Sequence, residues 1–444
     1  MSFLLFSSMR ILTVFSFLIA VVAGLANAEP VSRKAAHSVL SPAPKLTGDA
    51  GKPYGIKGRV VAGYQGWFCA EGDGSNLGFH HYRSKGKFEP GYCSIDLWPD
   101  LSEFTGPEKF PTAFRKADGR VAHVFSSQRE KTVNRHFQWM RDYGIDGAFV
   151  QRFAGVVTRE HHSYDLLKAD NRKLMLCRNA ALANERSWIL MYDLSGWNSE
   201  DFEGLAYDWK QLRTRMQIGT DENDTSYLQL NGNPLVAIWG VGFNDDRDYS
   251  LRDAERFIRL LKHNPDWGGM SIMLGVPYGW REQELDATED EHLHEVLKLA
   301  DVISPWSVGR YHEVDFAAGK HVQHLVDDRI WCERNGIEYL PVLFPGFSWH
   351  NMTGEELGAI PRQGGEFLWD QFVATRAAGI ENAYVAMFDE IDEGTAIFKC
   401  TNDVPVGDGV NFLDYEGLPS DHYLRLTGKG KELLRGVLPL PVKN

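Results

Sequence analysis

Eight short apolar runs, spaced along the chain and separated by amphipathic stretches, constrain the fold most. They cover residues 59–67, 146–153, 188–193, 234–239, 269–276, 301–306, 338–344 and 383–388. Each is nearly continuous in aliphatic and aromatic residues, which suits parallel strands buried on both faces. Helical periodicity occupies 133–143, 202–216, 251–263, 291–300, 316–335 and 366–378. Gly144, Gly336 and Gly379 each stand between a helical stretch and a strand, the usual stop signal. This alternation predicts an α/β chain closed as a (β/α)8 TIM barrel. A doubly wound open sheet is the competitor, but no glycine-rich dinucleotide fingerprint follows the first strand. Residues 68–131 read as a long insertion after strand 1, placed where a barrel shapes its site.

Residues 1–28 carry Arg10, an apolar core at 11–25 and Ala26-Asn27-Ala28, the pattern of a cleaved signal peptide. The apolar core is short against the roughly 20 residues a membrane span needs. The expectation is export to the periplasm or the extracellular space, with no stable membrane insertion after cleavage. Residues 29–57 read as a flexible lead-in, and 58–444 as a single (β/α)8 domain of catalytic type. The formal net charge of −13 argues against nucleic acid as a partner. Five cysteines leave at least one unpaired, and Cys69 with Cys93 is the most plausible bridge in an exported protein.

Barrels place their chemistry after the carboxyl ends of the strands. Strand eight ends in Asp389, Glu390, Asp392 and Glu393. Acids this close raise one another's pKa and can act as general acid and base; a solvated acidic turn is the plainer alternative. Glu390 and Glu393 are the catalytic candidates. The other strand ends offer Tyr64, Trp67, Gln151, Arg152, Asp193, Trp239, Trp306, His350 and Asn351 as substrate-binding candidates. Further rim positions include Gln65, Phe153, Phe347 and Trp349. Aromatics with hydrogen-bonding groups fit a neutral polyhydroxylated ligand, an oligo- or polysaccharide, better than a phosphate or a metal. His292-Leu293-His294 resembles a metal-binding pair but falls inside a helical stretch, so no metal and no cofactor is expected.

With these residues placed, the chain resembles the glycoside hydrolases of families 99 and 71. Family 99 carries a pattern close to N-E-W-H-E-G-T-Q-I-E after strand eight. Here the same stretch runs from Asp389 to Phe398 and keeps Glu390, Glu393, Gly394 and Thr395. Pro345-Gly346-Phe347 and Tyr64, Gly66 and Trp67 resemble two further family motifs. The resemblance implies a (β/α)8 enzyme cleaving α-linked mannose or glucose polymers. Glu393 corresponds to its general acid, and Glu390 to the base that deprotonates the sugar 2-hydroxyl. Asp389, Ile391, Asp392 and Phe398 depart from the pattern, so a mannan specificity does not carry over. A catalytically inactive carbohydrate-binding barrel is the alternative, and a metal-dependent hydrolase the third reading.

Overall fold

The computed structural model describes residues 29–45, 52–313 and 319–441. Helix α1 (Arg33–His37) is followed by β1 (Val60–Tyr64) and an antiparallel hairpin of β2 (Phe110–Arg115) and β3 (Val121–Val124). Next come α2 (Glu130–Asp142), β4 (Gly147–Phe153), α3 (Ala154–Thr158), α4 (Asp165–Asn184) and β5 (Ser187–Asp193). Helix α5 (Phe202–Gln211), β6 (Gln229–Leu230), β7 (Asn233–Trp239), α6 (Leu251–His263) and β8 (Ser271–Val276) continue the alternation. It ends with α7 (Leu293–Leu297), β9 (Val302–Pro305), α8 (Lys320–Arg334), β10 (Glu338–Tyr339), β11 (Val342–Leu343), α9 (His350–Thr353), α10 (Glu366–Ala377), β12 (Ala383–Val385) and α11 (His422–Leu434).

The parallel strands run in the order β10-β9-β8-β7-β5-β4-β1-β12-β11. Strands β10 and β11 are two pieces of one stretch, the expected seventh strand. Pro341 divides them because it has no N–H to donate. Leu340 N donates to Ile303 O at 2.9 Å on one side, and Tyr384 N donates to Pro341 O at 2.9 Å on the other. That stretch therefore joins β9 to β12 and closes the ring, as the (β/α)8 expectation requires. Every residue of β5 and β8 is buried, which explains their unbroken apolar sequence. Helix α6 begins where its periodicity begins, because Ser250 and Asp253 form a capping box.

Three features differ from the sequence reading. Helix α4 was not expected, because Asn171, Lys173 and Arg178 interrupt its apolar face. They are buried and satisfied from outside the helix: Asn171 Nδ2 donates to Ala36 O, Lys173 Nζ to Gln151 O and Arg178 Nη1 to Ser41 O. The lead-in expected to be flexible is anchored at several described positions. Ala36 and Leu40 are buried, and Gly55 N donates to Gln229 O at 2.8 Å. The expected Cys69–Cys93 bridge is absent: all five cysteines are buried free thiols. Cys69 Sγ donates to Trp67 O and Cys93 Sγ to Ile95 O, so each thiol has a local acceptor. The proposed signal peptide lies outside the described residues.

The insertion after β1 builds its own aromatic cluster, with Phe88 contacting Tyr82, Trp98 and Phe114. The cluster gives the insertion a packed aromatic core of its own.

Candidate active site

Beyond β12 the chain turns sharply. Phe388 N donates to Gly63 O at 2.7 Å, and Ala396 N closes the loop by donating to Glu390 O at 3.1 Å. This loop brings Glu390 and Glu393 to the wall of a cavity of about 460 Å³ at the carboxyl end of the barrel. Trp67, Gln151, Asp193, Trp239 and Trp306 line the same cavity, as expected from their strand-end positions.

Tyr64, Arg152, His350 and Asn351 do not line it. Side chains alternate along a strand, so the neighbours of Gln65 and Gln151 point outward. Tyr64 is buried toward α2, with its hydroxyl 2.9 Å from His136 Nδ1. Arg152 is fully buried among α4 and α5, where it donates to Asp208, Asp170 and Asn171. His350 and Asn351 are held by Asp96. Their backbone N–H groups donate to its carboxylate at 2.7 and 2.8 Å. Asn351 Nδ2 is spent on Ile95 O and Asn411 O. His292 and His294 are also occupied, by Glu255 and Trp280 O. Among the described residues, no group of three or more His, Cys, Asp or Glu could hold a metal ion.

The site contains residues the sequence reading missed. Arg247 donates to both carboxylate oxygens of Asp245 at 2.6 and 2.8 Å. Its guanidinium lies 5.0 Å from the Trp239 ring centre and 4.7 Å from that of Phe243. The clue was a charged cluster, Asp245-Asp246-Arg247, flanked by Phe243 and Tyr249 after the fourth strand. Trp67 also differs from the expectation for a stacking aromatic. His81 lies flat on one side, with centroids 3.7 Å apart and planes at 4°, and Phe153 covers it at 5.4 Å and 22°. Both stacking partners leave mainly the indole edge for a ligand. The indole N–H of Trp67 has no protein acceptor, and neither have those of Trp239 and Trp349. Gln65 Oε1 and Gln151 Oε1 have no donor. Buried polar groups of this kind call for a partner from solvent or from a ligand.

The four acids titrate upward. Burial raises Glu390, and the charge of Glu393 adds to the shift. Burial, followed by Asp392, pushes Glu393 up to about 8. Burial likewise brings Asp389 to about 7 and Asp193 to about 6, although each accepts backbone N–H bonds. The two glutamates are unequally supported. Glu390 accepts from Gln65 Nε2 at 2.6 Å and Thr395 Oγ1 at 2.9 Å. Glu393 has only the Trp349 indole N–H nearby, outside hydrogen-bond geometry. Burial, deeper at Glu390 than at Glu393, works against ionising Glu390, but its two donors favour the charged form; on the donors, Glu390 is the anion and Glu393 the protonated partner.

No family model and no curated protein matches the chain. Among solved structures, the fold is similar to that of a GH99 endo-alpha-mannosidase from Bacteroides thetaiotaomicron. The TM-score is 0.60 at 12% identity, over 86% of this chain and 99% of that one. A second structure of that enzyme, in complex with bis-tris-propane, aligns over the same shares at 12% identity with a TM-score of 0.57. The resemblance carried by the strand-end motifs thus holds at the level of the fold, a (β/α)8 barrel shared with a family-99 structure.

Proposed function

We propose that the protein is a glycoside hydrolase acting on an α-linked polysaccharide or glycan in the cavity at the carboxyl end of its barrel. One observation carries this reading: Glu390 and Glu393 share an aromatic-walled cavity, and only Glu390 has strong donors to its carboxylate. Glu393 is the general acid. It gives its proton to the leaving glycosidic oxygen as the C1–O bond breaks. Glu390 takes the proton of the sugar 2-hydroxyl, whose oxygen closes on C1 in the 1,2-anhydro route that the family resemblance implies. Water then opens that ring at C1, giving its proton to Glu393 while Glu390 returns one to O2. Trp67, Gln151, Asp193, Trp239 and Trp306 bind the sugar. The unpartnered indole N–H groups and glutamine carbonyls supply donors and acceptors for its hydroxyls.

The protein works outside the cytoplasm once residues 1–28 are removed; mass analysis of the mature chain tests this by locating its first residue. A binding barrel without turnover is the second reading, favoured by Asp389 and Asp392 crowding the glutamate pair. The deciding experiment compares the native protein with Glu393→Gln on α-mannans, α-glucans and sulfated polysaccharides. Sugar release by the native protein alone supports the hydrolase. Binding by both proteins without release supports the silent barrel.

A further inference from the structure

Asp392 stands between the two glutamates in sequence and is 1% exposed. It does not line the cavity, and its Oδ1 has no hydrogen-bond partner. Its Oδ2 lies 3.1 Å from His81 Nδ1. An ionised carboxylate this deep, with one oxygen bare, is expensive unless it is paired with a cation. The imidazole is not a good cation either, since burial and the nearby charges of Lys173 and Arg83 push His81 down to about 3. His81 reaches this position from the insertion, across 311 residues. Its backbone sits in the left-handed region at φ 60°, Ser94 Oγ donates to its carbonyl at 2.6 Å, and its ring is stacked on Trp67. The ring plane is therefore fixed with Nδ1 toward Asp392.

We propose that His81 is a positioning residue: its Nδ1 accepts the proton of a neutral Asp392, so that the third carboxyl beside the glutamate pair carries no charge. The inference rests on the acid and base roles given above. With Asp392 neutral, Glu390 can ionise without a second anion beside it, and Glu393 keeps its proton. The ring's own proton then belongs on Nε2. The other titratable groups facing Asp392 are Asp96, Asp389, Tyr82 and Cys93, none of them a cation. His80 faces His81 edge-on at 4.6 Å, and Asp193 faces Glu393.

The test uses Asp392→Asn, His81→Phe, the double variant and His81→Asn, which keeps a polar atom near the Nδ1 position and tolerates the left-handed backbone. Infrared spectra at neutral pH are compared for the C=O stretch of protonated carboxyls, which requires no turnover. Asp392→Asn is expected to lose one such band, and His81→Phe to lose or shift the same band. Should Asp392→Asn lose no band, the proposal is overturned, whatever the protein hydrolyses. In hydrolysis assays, His81→Phe leaves Asp392 free to ionise and push Glu390 up. The acid limb of the pH profile then moves to higher pH by about one unit. Adding Asp392→Asn abolishes that shift, and His81→Asn shows little of it. A shift that survives in the double variant means that His81 acts through packing alone and refutes the assignment. If His81→Phe does not fold, His81→Gly removes the acceptor without backbone strain, and the same two outcomes apply.

Discussion

Two clusters of buried charge lie within one barrel, and they behave in opposite ways. Arg152, on the outward side of β4, holds Asp208 with two hydrogen bonds at 2.7 and 2.5 Å and Asp170 with a third at 2.5 Å. Burial alone would raise Asp208, yet the charge and hydrogen bonds of Arg152 hold it well below the usual carboxylate range. At the end of the eighth strand, Asp389, Glu390, Asp392 and Glu393 are enclosed with no Lys or Arg in ion-pair contact among the described residues, and all rise. Burial is common to both clusters; the difference is the partner. Matched charges become structure, whereas unmatched ones keep titratable protons near neutral pH, which acid–base catalysis requires.

Four measurements can break or sharpen this contrast. The largest effect is on rate: Glu393→Gln should lower hydrolysis by about 10²–10⁴-fold, the usual contribution of a general acid. Its melting temperature should stay level or rise, since an unmatched acid is removed; a clear fall would place Glu393 among the structural charges. In the matched cluster, Arg152→Met takes the guanidinium from fully buried Asp208, which keeps the Tyr192 hydroxyl and His37 Nε2, while Asp170 keeps Lys173. Denaturant unfolding should show a loss of about 3–5 kcal/mol, and a loss under about 1 kcal/mol would dissolve the contrast.

The pH dependence of stability carries opposite signs in the two clusters. The folded value of Glu393, about 8, exceeds its ordinary 4.5. Its contribution to stability is full below the ordinary value and is lost as pH rises through about 8. Native protein should therefore weaken between about pH 4.5 and about pH 8 more than Glu393→Gln does. Asp208 is depressed, so its contribution is present above its ordinary value of 3.8 and is lost only as pH falls below it. The smallest effect concerns Trp67. Trp67→Phe keeps the stack with His81 and Phe153 but removes the indole N–H. It should raise KM several-fold, the worth of one hydrogen bond of about 1 kcal/mol, with kcat little changed.

Much of this was legible in the chain. The eight apolar runs mark the barrel strands, although Pro341 divides the seventh and only Ala383–Val385 pairs in the eighth. Glu390, Glu393, Trp67, Gln151, Asp193, Trp239 and Trp306 were placed by strand-end position alone, and all seven line the cavity. Two of the errors share one cause. Tyr64 and Arg152 each sit one residue from a cavity-lining glutamine, and a one-residue step on a strand turns the side chain to the other face. Helix α4 escaped notice because its buried polar residues are satisfied by segments distant in sequence. Arg247 escaped because its role depends on folding back over Trp239.

By itself, the sequence determined that the chain closes into a barrel and that a cluster of acids follows its last strand. Apolar periodicity, glycine stops and local motif order are short-range properties written into neighbouring residues. Only the tertiary structure decided which strand-end residues face the cavity, which buried charges meet a partner, and that His81 meets Asp392. Those outcomes depend on ring closure and on contacts between distant segments. The pKa of a buried group follows from what surrounds it in space.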